Sequence, residues 1–281
     1  LGDRTVPIVL GPVTLLALSR VTADEAALFD ALLPLYARLL KSLAERGVEE
    51  VQIHEPVLVL DRAAALRNRM TAAYEVLADA AVNLNLVTYF DDLGKTYSWV
   101  VNLPVHVISL DFTRGETLDL ITRHGWPENK TLAAGVVDAR SVWRVRPAEV
   151  VALLDALCAV GDIRIGASAS LQFLPYAASR EQALPAPLRG VLAFAEEKLG
   201  ELRQLGDGKA GSGSAWAAFD DFSPEDAALQ ARVANLTDAD FARSIGYAGR
   251  RPLQIQLPRF PMTTIGSFPQ IREVRRLRAR F

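Results

Sequence analysis

Six short apolar runs, each followed by a longer stretch with helical character, constrain this chain more than any other feature. The runs are Pro7–Leu10, Val51–Ile53, Asn83–Tyr89, His106–Leu110, Ala133–Val137 and Asp162–Ala167. Each is apolar or β-branched and bounded by Gly, Pro, Asp or Asn, as a strand buried on both faces should be. Between them, Ala23–Glu45 repeats leucine near helical spacing (Leu28, Leu32, Leu35, Leu39, Leu43), with Gly47 as its stop. Thr22 with Glu25 three residues later reads as a capping box for that helix. Ala63–Ala80 and Pro147–Val160 read as helices in the same way.

Strand–helix alternation of this kind builds a parallel sheet, either closed into a (βα)8 barrel or open and doubly wound. The residues after the strands favour the barrel. Gly11-Pro12-Val13-Thr14, His54-Glu55-Pro56, Thr88-Tyr89, Asp111, Asp138 and Ser168–Ser170 place polar or turn chemistry after almost every strand. Barrels build their active face from those ends, whereas an open sheet uses mainly one crevice. No G-x-G-x-x-G or P-loop sequence occurs. The expected fold class is therefore α/β, a TIM-barrel type that is incomplete at about six βα units. Residues 1–205 hold these units, and the two absent strands are expected ahead of Leu1. Gly206–Ser214 (GDGKAGSGS) is a flexible loop by composition. Helices are expected over Pro224–Leu236, started by Asp220-Asp221 and Ser223, and again from Asp238. A proline-punctuated connection carrying a short strand at Thr263–Ile265 follows.

Charge excludes some partners. With 31 basic and 33 acidic residues, the net charge of −2 gives no global field for nucleic acid or an anionic membrane. The five arginines of Ile271–Phe281 read as a solvated helix in preference to a nucleic-acid contact. No run approaches the roughly 18 apolar residues of a membrane span. A single cysteine, Cys158, allows no intrachain disulfide and fits a reducing, cytoplasmic setting.

Several residues invite a chemical reading, and each has a plainer one. His54 and Glu55 could form an acid–base pair, but neighbours at a strand end point to opposite sides, so a hydrogen-bonded structural role is preferred. Asp111, Asp138 and Arg140 are expected to form an ion-pair network over the barrel mouth; a vestigial ligand site is the alternative. His106, at a strand start, and His124, in a loop, show no metal-ligand spacing. Cys158, among Leu153, Leu154, Leu157 and Val160, is expected to be buried and inert. Ser168 and Ser170 lack the G-x-S-x-G turn of a nucleophile. An unrelated barrel enzyme using Glu55, Asp111 and Asp138 as carboxylates is the weakest reading.

The motifs in order are GPVT (Gly11–Thr14), VQIHEPVLVLD (Val51–Asp61), VTYF (Val87–Phe90), LPVHVISLDFTRG (Leu103–Gly115), GVVDARSVW (Gly135–Trp143), SASL (Ser168–Leu171) and LPRFPMTTIGSFPQ (Leu257–Gln270). This series resembles cobalamin-independent methionine synthase over nearly the whole chain. The resemblance implies two facing (βα)8 barrels and methyl transfer from 5-methyltetrahydropteroyltriglutamate to L-homocysteine. It also implies a zinc ion bound by His, Cys and Glu in the carboxy-terminal barrel, activating the homocysteine thiol. Residues 259–281 then begin that second barrel, with 206–258 as the loop and helical linker. The zinc ligands would lie beyond Phe281 and the folate-tail lysines before Leu1. Ile265, Gly266 and Ser267 match the family's contacts to the amino-acid end of homocysteine. No catalytic or metal-ligating residue is assigned to this chain, which alone is expected to lack turnover. The alternative is a non-catalytic barrel scaffold, or a module that binds folate polyglutamate or a partner. Departures mark a divergent member: His54 within Gln52–Pro56, Ala139-Arg140-Ser141, Phe173-Leu174-Pro175 and Ile271 each replace the family's usual residues.

Overall fold

The computed structural model describes residues 5–161, 163–208, 227–261 and 272–279. The chain divides into two compact units, Leu1–Ser223 and Pro224–Phe281.

In the first unit, six strands alternate with helices: β1 (Ile8–Leu10), α1 (Pro12–Leu18), α2 (Glu25–Ala44), β2 (Glu50–His54), α3 (Arg67–Ala78), β3 (Asn83–Val87), α4 (Tyr97–Val100), β4 (Val107–Asp111), α5 (Thr117–His124), β5 (Thr131–Val137), α6 (Pro147–Leu157) and β6 (Ile163–Ala167). Helices α7 (Ala186–Val191) and α8 (Ala195–Gly206) follow. All strand pairs are parallel and the strands lie side by side in sequence order. A doubly wound sheet must reverse its order somewhere. This sheet never does, so one handedness of crossover puts all its connecting helices on one face.

That face holds the core. Val51, Ile53, Leu84, Leu86, Ile108, Leu110 and Leu132 of the sheet are buried against Phe29, Leu33 and Leu40 of α2 and Met70, Tyr74 and Leu77 of α3. Each fully buried aliphatic side chain here contributes roughly 1.5–3 kcal/mol.

The other face carries a polar chain across β2, β3, β4 and β6, while Ile8 and Leu10 of β1, opposite Gln52 and His54, are exposed on it. Along β2, Glu50, Gln52 and His54 alternate with the buried Val51 and Ile53. Asn85 Nδ2 on β3 donates to Glu50 Oε1 at 3.0 Å, and Ser109 Oγ on β4 donates to Asn85 Oδ1 at 2.8 Å. Arg164 Nη1 on β6 reaches Glu50 Oε2 at 2.5 Å. In a flat sheet, four strand spacings would hold β2 and β6 about 19 Å apart, more than these two side chains span. The sheet is therefore strongly curved, and the Arg164–Glu50–Asn85–Ser109 chain crosses its concave side. The expected incomplete barrel corresponds to this curved wall of six strands, with β1 and β6 as its edges among the described residues.

Several expectations need correction. In α2 the inward stripe is Phe29, Leu33, Tyr36 and Leu40, while Leu28, Leu35 and Leu39 are exposed. The leucines spread over nearly half of the helix circumference, opposite Asp30, Arg38 and Lys41, so their spacing alone could not fix the centre of the buried stripe; the two aromatics sit on it. Its cap is Asp24, not Thr22: Oδ1 accepts N–H bonds from Ala26 and Ala27. The expected helix at Ala63–Ala80 is a 3₁₀ segment, Asp61–Leu66, running into α3. Cys158 is exposed. The inward positions of α6 are Val150 and Leu157, two turns apart, and the next residue is rotated off that line. His124 ends α5 and does not lie in a loop.

The second unit contains α9 (Ala227–Ala234), α10 (Asp238–Phe241), α11 (Tyr247–Arg250) and α12 (Arg272–Arg278). Thr237 starts α10, its N–H and hydroxyl both donating to Asp240 Oδ2. The expected strand Thr263–Ile265 and the helix-starting Asp220, Asp221 and Ser223 fall outside the described residues.

Candidate functional site

The carboxyl ends of the strands form the rim where a barrel places its chemistry. Glu55, just past β2, is fully buried. Its carboxyl group accepts N–H bonds from Thr14 (2.7 Å) and Val13 (3.3 Å), the first-turn residues of α1. The residue before α1 is Gly11, which has no side chain to cap it, so Glu55 supplies the cap from another strand. Thr14 Oγ1 returns the brace by accepting the Val57 N–H at 3.3 Å. Burial is the main influence on the Glu55 carboxyl, raising its pKa from 4.5 to about 7 despite the bonds from Thr14 and Val13, which lower it. The neighbouring Tyr36 hydroxyl, donating to Leu10 O at 2.6 Å, is pushed up to about 12 by burial and by Glu55.

A raised carboxyl pKa means that the folded state holds the proton more tightly than the unfolded one. The Glu55 contribution to stability is then complete below about pH 4.5 and is lost as pH rises through about 7, on the order of 3 kcal/mol in all. We expect Glu55→Gln to flatten this part of the stability profile relative to the parent in urea titrations from pH 4 to 8. Parallel profiles would refute the assignment.

His54 and Glu55 do point apart. His54 is half-buried on the concave side, 3.3 Å from Gln52 Oε1. Burial lowers its pKa. It begins an aromatic row across the rim: His54–Tyr89, Tyr89–Phe90 and Phe90–Phe173 pack edge to face with centroids 5.4, 4.7 and 5.4 Å apart. Phe90 is held at φ 84°, where residues other than glycine are strained. Asp111 fixes it there, accepting the Phe90 N–H at 3.0 Å on Oδ2, while Oδ1 accepts the Thr113 N–H and hydroxyl. Burial raises the Asp111 pKa.

The expected Asp111–Asp138–Arg140 ion-pair network is not what forms. The Arg140 guanidinium lies over the Phe90 ring, 4.9 Å from its centroid. Asp138 Oδ1 accepts the Arg140 and Ser141 N–H groups, and its Oδ2 lies 3.5 Å from Arg114. Ser168 Oγ accepts the Ala139 N–H and Ser170 Oγ caps a short turn at Gln172, so both hydroxyls serve the backbone. His106 is exposed, with Nδ1 accepting the Leu84 N–H. The carboxylates at these strand ends are thus committed to holding loops.

Two further residues had no visible signal in the sequence. Lys198 and Glu201 of α8 are buried as an ion pair at 3.6 Å. Lys198 Nζ donates to Trp143 O at 2.5 Å, and Glu201 Oε1 accepts the Val145 N–H at 3.3 Å. Burial lowers the Lys198 pKa and raises that of Glu201. Their i,i+3 spacing reads as an ordinary solvated helix pair. Ile265, Gly266 and Ser267 lie outside the described residues. Among the described residues, no three His, Cys, Asp or Glu side chains group so as to hold a metal ion. No described helix is long and apolar enough to cross a membrane.

Residues 1–161 match the family described as cobalamin-independent synthase, N-terminal domain. The chain belongs to the cobalamin-independent methionine synthase family. Its curated relatives include proteins named 5-methyltetrahydropteroyltriglutamate–homocysteine methyltransferase. One from Synechococcus sp. is 50% identical over 291 aligned residues and one from Trichodesmium erythraeum 46% identical over 295. Both alignments take in 100% of this chain and 39% of the relative. This methionine synthase family member thus spans well under half the length of those relatives. Among solved structures, a B12-independent methionine synthase from a Shewanella species, in complex with selenomethionine, shares the fold. Its TM-score is 0.50 at 14% identity, covering 82% of this chain and 63% of that one.

Proposed function

We propose that this chain is part of a 5-methyltetrahydropteroyltriglutamate–homocysteine methyltransferase and supplies a barrel wall, not the reacting groups. The observation that carries this is 50% identity along its full length to a protein of that name. The rim supports a structural share of the work: Glu55, Asp111 and Asp138 bind backbone, and an aromatic row with Arg140 spans the strand ends. On this reading residues 259–281 open the second barrel. Ile265, Gly266 and Ser267 there meet the amino-acid end of homocysteine, glycine allowing close approach and serine offering a hydroxyl. Zinc would be held by His, Cys and Glu ligands elsewhere in the parent enzyme, where it lowers the thiol pKa of homocysteine. The folate polyglutamate would likewise be bound mainly by other segments. The cytoplasm is the compartment that fits this biosynthetic role and an exposed lone thiol.

The test is a chimera in which this chain replaces the aligned segment of the Synechococcus relative. Methyl transfer to homocysteine within about tenfold of the parent is expected, and this polypeptide alone should give none. A folded chimera with no methyl transfer would contradict the reading.

A further inference from the structure

We propose that the cleft between the 138–146 segment and helix α6 binds a small α-amino acid with an apolar side chain, separately from any methyl-transfer site. The cleft has a volume of about 450 Å³, within the usual range for small-ligand sites. It joins three chemistries on fixed backbone.

The first is an oriented guanidinium. Arg144 is half-buried, and its Nε donates to Gly190 O at 2.7 Å, which orients the planar fork. Among the described residues, its two Nη groups have no hydrogen-bond partner, and its buried charged neighbours, Glu201 and Lys198, are of opposite sign and largely offset each other. A half-buried fork with free ends suits a carboxylate, which it can bind through two parallel bonds. The second is an acid within the same lining. Glu149 is exposed and lies 3.6 Å from Arg146, a loose pair that an incoming ammonium can displace at little cost. Asp138 is already committed to two backbone N–H groups and Arg114, so Glu149 is the acid left to receive a cation. The third is an apolar wall of Val150 and Leu153 on α6 and Phe112 after β4.

The frame explains why a buried ion pair sits beneath this cleft. Arg144 lies between the two main-chain points that α8 clamps: Lys198 holds Trp143 O, and Glu201 holds the Val145 N–H. Burying two charges is expensive, and apolar side chains of similar size would often serve stability as well. What the polar clamp adds is a fixed backbone on both sides of the arginine. Positioning of that kind lowers the ordering cost of binding. A carboxylate on Arg144, an ammonium toward Glu149 and a side chain on Val150 and Leu153 together describe an α-amino acid.

The experiment titrates the full 281-residue chain with L-norleucine, hexanoate and pentylamine, following ¹H–¹⁵N shifts and calorimetric heat. We expect saturable L-norleucine binding in the millimolar range, with hexanoate and pentylamine each at least about tenfold weaker. Arg144→Gln should weaken norleucine binding by at least about tenfold. Glu149→Gln, on an exposed residue that leaves the fold alone, should weaken norleucine but not hexanoate. If Arg144→Gln fails to fold, the Glu149→Gln comparison still decides. Absence of saturable norleucine binding, or equal binding of norleucine and hexanoate that is insensitive to Glu149→Gln, would overturn the proposal.

Discussion

Replacing Gly11 by alanine should cost this protein about 3 kcal/mol of stability, a large share of the roughly 5–15 kcal/mol that holds a typical domain folded. A Cβ at that position would lie 2.0 Å from Glu55 Oε1 and 2.1 Å from its Cδ. These atoms have nowhere to go: Glu55 is fully buried and bonded to Val13 and Thr14. The Gly11 N–H is also engaged, donating to His54 O at 2.7 Å. The clash can be relieved only by breaking the cap or by moving β1 away from β2. Urea denaturation checks this, and Gly11→Ala together with Glu55→Ala should recover part of the loss. An alanine variant as stable as the parent would show that the GPVT–HEP junction is loosely packed.

The second large effect is expected at α8. Lys198→Met leaves buried Glu201 with only the weaker pull of Arg144 and Trp143 O without its donor, a loss of about 3 kcal/mol, the low end of what removing one partner of a buried pair costs. Lys198→Met with Glu201→Leu removes the stranded charge as well. The double variant should therefore be more stable than Lys198→Met, although Val145 N–H and Trp143 O lose their partners. A thermal-melt cycle over the four proteins measures the coupling. Additive losses would mean that the two residues stabilise α8 independently.

The fold class was readable because alternation of strand and helix survives many substitutions, and in β2 the pattern Glu50-Val51-Gln52-Ile53-His54 also shows which side is polar. The inward face of α2 was not readable, since its leucines spread over an arc wider than the buried stripe and only packing centres that stripe on Phe29 and Tyr36. Strand β3 was expected to run to Tyr89 but ends at Val87, because Phe90 turns at a positive φ that its residue type does not advertise. Glu55 was recognisable as a rim residue. Its task was not, because its partners Val13 and Thr14 lie 42 and 41 positions upstream and only the β1–β2 register brings them together. The same limit hid the clamp of Lys198 and Glu201 on Trp143 and Val145, 55 and 56 positions apart.

Curvature is the claim on which the rest depends: a flat six-stranded sheet would have no rim shared by β2 and β6. It can be measured with Glu50→Cys and Arg164→Cys in a Cys158→Ser background, treated at high dilution with a bis-maleimide far shorter than four strand spacings. Peptide mass spectrometry should find positions 50 and 164 joined in the folded protein and not in urea. Folded protein that takes up the reagent at both thiols yet never bridges them would mean that the strands lie open and form no barrel wall.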